Sequence, residues 1–82
     1  MLLLWSKAAI DFVAKKLAGY GVATLERLAT ALYFSTEDNR QRRIKSIRTA
    51  KPHITLELAE AAIIEVDKIL EEWHSTVAKS KA

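Results

Sequence analysis

Apolar residues recur along this chain at three- and four-residue intervals in four separate stretches, the period of amphipathic helices. Ala9, Ile10, Val13 and Leu17, with Phe12 beside them, predict a first helix over residues 6–18. Ser6 is its expected N-cap, and Gly19-Tyr20-Gly21 is expected to close it with a left-handed glycine turn. Leu25, Leu28, Ala29 and Leu32 predict a second helix from Thr24, its expected cap, to about Tyr33, with Glu26 in the first turn where the helix dipole favours an acid. Residues 34–39 have no apolar period and read as a turn, in which Ser35 or Thr36 caps the next helix and Glu37 and Asp38 sit at its positive end. Ile44, Ile47 and Ala50 then form a narrow stripe, so a third helix over 40–50 is mostly surface, and Pro52 forbids its continuation.

The fourth stretch carries the strongest pattern. Leu56, Ala59, Ile63, Val66, Leu70, Trp73 and Val77 are spaced alternately by three and four residues, as in the a/d seam of a heptad repeat, and predict a helix over 55–77. Leu58, Ala62 and Ile69 widen that seam. A helix of some 23 residues is about 35 Å long, more than a domain of this size usually needs to cover itself. These seven seam residues are therefore expected to form a homodimer interface. The alternation in Ile54-Thr55-Leu56-Glu57-Leu58 leaves a short strand as the competing local structure. The tail after Ala78 is small and charged and is expected to fray. Residues 1–5 are apolar but too few for a signal peptide or a membrane span, and are expected to pack onto the core, with a membrane-surface helix as the other option.

Together these stretches predict one all-α, compact four-helix domain over 1–82 with a long C-terminal helix. With 82 residues, such a chain hides about 60–65% of its unfolded surface and gains from sharing its core with a second copy. The absence of cysteine excludes a disulfide scaffold, a thiolate nucleophile and a zinc–thiolate site, and fits a reducing, cytoplasmic compartment.

Charge adds more than composition does. The net +3 conceals a separation: residues 39–52 hold Arg40, Arg42, Arg43, Lys45, Arg48 and Lys51 with no acid, a sum of +6. Residues 53–78 hold Glu57, Glu60, Glu65, Asp67, Glu71 and Glu72 against Lys68 alone, a sum of −5. With Ile44 and Ile47 turned to the core, most of the cations are directed to solvent, and a polyanion is the natural partner. The competing account pairs the basic helix with the acidic one, within a chain or between chains. Surface ion pairs contribute only about 0–1 kcal/mol each, whereas each phosphate contact releases counterions and adds affinity.

The order of pieces resembles the helix-turn-helix core of winged-helix and related transcription regulators, over about residues 8–51. The resemblance rests on Leu28-Ala29 followed by Leu32, then Phe34-Ser35 ahead of the Arg-rich helix that ends in Thr49-Ala50-Lys51. It implies that the third helix lies in a major groove of double-stranded DNA and that the long last helix stands in place of a wing and makes a dimer. Asn39, Arg40, Gln41 and Arg43 would then face base edges, and Arg42, Lys45, Arg48 and Lys51 would grip phosphates, with Ser35 and Thr36 as neutral donors.

Other chemistry lacks its residues. His53 and His74 stand 21 positions apart and form no metal-ligand spacing, Glu71 and Glu72 diverge by 100° on a helix, and Gly19 and Gly21 precede no phosphate-loop lysine. No enzyme, metal site, cofactor or small-molecule substrate is expected. The sequence thus points to a small DNA-binding regulator, with a helical protein-interaction module and an RNA-binding subunit as rival readings.

Overall fold

The computed structural model describes residues 6–81, with side chains described through Ala78, and the expected packing of residues 1–5 lies outside them. Four helices follow in order: α1 (Lys7–Leu17), α2 (Val22–Tyr33), α3 (Arg40–Ala50) and α4 (Leu56–Lys81). Among the described residues there is no strand, and within 54–58 the chain turns at Ile54 and enters a helix at Leu56 instead. Thr55 decides that competition, because its Oγ1 accepts from the Leu58 backbone N–H at 3.2 Å and caps α4.

The other caps differ from the sequence expectations in two of three cases. Ser6 caps α1 as expected, accepting from Ala9 N–H at 3.2 Å. Helix α2 begins three residues earlier than expected, with Gly21 at its N-cap in place of Thr24, so Thr24 lies inside the helix and its Oγ1 accepts from Arg27 at 3.1 Å. Neither Ser35 nor Thr36 caps α3; Asn39 does, its Oδ1 accepting from Arg42 N–H at 2.9 Å. Asn39 is adjacent to the first helical residue and has the shorter reach, so it takes the cap from residues three and four positions upstream. No glycine has a positive φ, and the turn after α1 closes through a Tyr20 N–H to Leu17 carbonyl bond of 3.1 Å instead of a left-handed residue. The C-terminal segment expected to fray continues α4 to Lys81.

Helix α4 is the axis of the molecule. At 26 residues it is about 39 Å long, against a longest molecular dimension of 42 Å, and it packs on all three other helices. The core joins Leu28 and Ala31 of α2, Ile44 and Ile47 of α3, Ile54 of the connecting turn, and Ala59, Ala62, Ile63 and Val66 of α4. Ala31 and Ala59 are fully covered, and at these positions a methyl side chain lets two helices approach closely. Helix α1 lies over the later part of α4: Ala9 and Val13 are buried, the Phe12 and Trp73 rings meet at 5.4 Å, and Lys16 pairs with Glu72.

The seam expected to join two chains is thus filled within one. Ala59, Ile63 and Val66 are core residues of the single chain, Leu70 packs against that core, and Trp73 and Val77 are half-covered. Leu56 alone of the seven is exposed. Period 3.5 marks a face that must be covered without saying by which chain, and here α2 and α3 cover its earlier part and α1 its later part.

Candidate nucleic-acid interface

Helix α3 is anchored by two residues and otherwise presents charge. Ile44 and Ile47 are buried three apart, which directs Arg40 and Arg43 to one flank and Gln41, Lys45, Arg48 and Thr49 to the other. The two flanks meet different surroundings.

The first flank faces the acidic helix. Arg43 Nη1 and Nη2 form a two-pronged pair with the Asp67 carboxylate at 3.2 and 2.9 Å, and Arg40 lies 3.7 Å from Glu60. The Arg43 side chain is only 11% exposed, and its Nε is buried with no hydrogen-bond partner among the described residues. These two arginines, expected at base edges, therefore clamp α3 to α4 in the described structure. The planar guanidinium fork suits a carboxylate held at fixed distance, and α4 supplies one.

At the two ends of α3 the cations are also engaged. Arg42 pairs with Asp38 one turn back at 3.1 Å, on the surface. Lys51 approaches Glu26 of α2 at 3.9 Å, and His53 Nε2 meets the same carboxylate at 2.6 Å. The hydrogen bond from His53 holds the Glu26 carboxyl below the usual carboxylate range; partial desolvation opposes it, and the charges of His53, Lys51 and Arg27 assist it. Glu26 thus ties the start of α2 to the turn after α3, a link that the sequence pattern does not reveal because its partners are 25 and 27 residues away.

The second flank is open. Gln41, Ile44, Lys45, Arg48, Thr49 and Pro52 line a shallow surface groove. Arg48 Nε donates to the Ile54 carbonyl at 3.3 Å, which fixes the root of its guanidinium, and among the described residues no carboxylate meets Arg48 or Lys45. Thr49, which the charge pattern does not single out, belongs to this face because it lies one turn after Lys45. Asn39 is spent on its cap, Ser35 is half-buried, and Thr36 is exposed in the turn before α3.

Comparison with family models, curated proteins and solved structures gives no match. The connection between α2 and α3 spans residues 34–39, longer than the three- or four-residue turn typical of helix-turn-helix pairs. Among the described residues no cluster of histidine and acidic side chains could hold a metal ion, and no helix is long and apolar enough to cross a membrane.

Proposed function

We propose that this chain binds double-stranded DNA, without catalysing a reaction, through the outward flank of α3. The supporting observation is the division of the cations. Arg40, Arg42, Arg43 and Lys51 meet carboxylates of the chain, whereas Lys45 and Arg48 share an open groove with Gln41 and Thr49 and meet none among the described residues. Two unneutralised cations beside a carboxamide and a hydroxyl suit a phosphate backbone with an adjacent base edge, since Gln can bond adenine in two places. The footprint is smaller than the sequence implied, because Arg40 and Arg43 belong to the fold.

On this reading the chain acts as a small cytoplasmic regulator. A second copy, needed to read a two-fold site, would have to dock away from Ala59, Ile63 and Val66, and exposed Leu56, Leu58 and Ile64 are the apolar residues that α4 leaves for it. The rival reading, a protein-interaction module, draws on the same residues and on Val22, which is 86% exposed.

Titrating fluorescent duplex DNA with the protein at two salt concentrations tests the proposal. Two to four phosphate contacts give a slope of log affinity against log salt of about −2 to −4, and Lys45→Ala with Arg48→Ala removes about 2 of it. Absence of binding at low salt refutes the proposal and favours the interaction module. Tighter binding to single-stranded RNA of equal length would assign the groove to RNA.

A further inference from the structure

A cleft of about 200 Å3 opens at the surface between α2 and α4. Thr24, Arg27 and Leu28 share one stripe of α2, and Leu58, Ala61, Ala62 and Glu65 share one stripe of α4, so the two helices make its walls. The space exists because α4 sets two methyl side chains, Ala61 and Ala62, on this stripe, where longer residues would fill it. Leu28 and Ala62 are buried and give the cleft an apolar floor.

The walls carry two opposite charges that do not pair with each other. Half-buried Arg27 is held by a bond from its Nη2 to Thr24 Oγ1 at 3.1 Å, and among the described residues no carboxylate lies within salt-bridge distance of it. Glu65, also half-buried, accepts from the Tyr20 hydroxyl on Oε1 at 2.9 Å, which leaves Oε2 without a partner among the described residues. An anion would gain Arg27 but meet Glu65, and a cation would do the reverse. A molecule carrying both charges on an apolar body satisfies all three features. The volume lies below the roughly 300–1,000 Å3 of sites for drug-sized ligands, which limits the occupant to a small molecule.

We propose that this cleft binds a free α-amino acid with an apolar side chain. Its carboxylate accepts from the Arg27 guanidinium, its ammonium donates to Glu65 Oε2, and its side chain lies on Leu28, Leu58 and Ala62. Arginine suits the carboxylate because its planar fork offers two parallel bonds. Thr24 and Tyr20 are positioning residues, each holding one of the two charged groups by a hydrogen bond. The cleft shares no residue with the α3 groove, so the inference does not depend on the nucleic-acid reading.

Titration with L-leucine, followed through the amide chemical shifts of Leu28, Ala61 and Ala62, tests the proposal. Saturable shifts at these residues are expected. Isocaproate, which lacks the ammonium, and isoamylamine, which lacks the carboxylate, should each bind about tenfold or more weakly, as loss of a bond to a charged partner does. Arg27→Gln should weaken leucine by a similar factor and leave isoamylamine unaffected, while Glu65→Gln should weaken leucine and leave isocaproate no weaker. A purely structural role for these residues would not separate the ligands in this way. Absence of saturable shifts with leucine overturns the proposal, as does binding of isocaproate or isoamylamine as tight as that of leucine. Should either variant melt early, the ligand series on wild type still decides.

Discussion

Arg43 shows how one residue can be read correctly for its charge and wrongly for its place. Its side chain is nearly covered while Asp67 opposite is half-exposed, so the pair lies between a surface ion pair and a buried one. Arg43→Ala should accordingly cost about 1–3 kcal/mol, measured by urea unfolding, while Arg42→Ala, whose pair is wholly on the surface, should cost about 0–1 kcal/mol. Equal effects would mean that the Asp67 pair does not clamp α3. Two further residues make stability depend on pH. Glu26 titrates below its ordinary 4.5 in the fold, so its contribution is complete above that value and is lost as acid takes the pH down through the lower folded value. Tyr20 donates to Glu65 at 2.9 Å, and this hydrogen bond, ahead of desolvation and the charges of Glu65 and Glu72, raises its pKa above 10.0. Its contribution is complete below 10.0 and disappears as the pH rises through the folded value. Glu26→Gln should flatten the acid limb and Tyr20→Phe the alkaline limb in melting curves recorded against pH. An unchanged limb would exclude the corresponding group.

At the scale of elements, helix number and order were legible because each apolar face repeats with the helical period, and the bounds of α1 and α3 lie within a residue of expectation. Phase was less legible. Ile10 and Leu25 belong to the predicted faces yet are exposed, while Ala31, outside the predicted face of α2, is fully covered. A helix rotates to suit its neighbour, and α4 accepts Leu28 with Ala31, a choice that local spacing cannot express. Caps were ambiguous for a related reason: residues 34–39 offer several short polar side chains, and only the turn geometry selects Asn39. The glycines provide the matching test. Gly19 has no positive φ, and a methyl group added to its Cα would point into open space, so Gly19→Ala should stabilise the protein by about 0.4–1 kcal/mol through the unfolded chain. Destabilisation in urea would show that the turn needs glycine after all.

Across the whole molecule, the separation of charge was visible in the sequence, but not its closure. Arg40 with Glu60 and Arg43 with Asp67 bring the basic and acidic helices together inside one chain, which leaves Lys45 and Arg48 as the α3 cations that meet no acid among the described residues. The heptad spacing was equally ambiguous, since a partner helix and the chain's own helices cover the same face. Leu70→Lys distinguishes them. Because Leu70 packs on the core of its own chain, the change should lower stability by about 2–3 kcal/mol in thermal unfolding and leave the mass in light scattering as it is in wild type. A halved mass with unchanged stability would assign Leu70 to an interface.

The central position of α4 also dictates an order of events during synthesis. Nearly every contact that buries α1, α2 and α3 is made with a helix translated after them, so the nascent chain carries Leu28, Ala31, Ile44 and Ile47 without their cover until residues 59–66 emerge. Among the described residues, α2 and α3 lean on each other in that interval. A ribosome that stalls near Pro52 would leave a chain with its apolar faces in water, a substrate for chaperones or proteases, and release beyond α4 is the step that commits the protein to its fold.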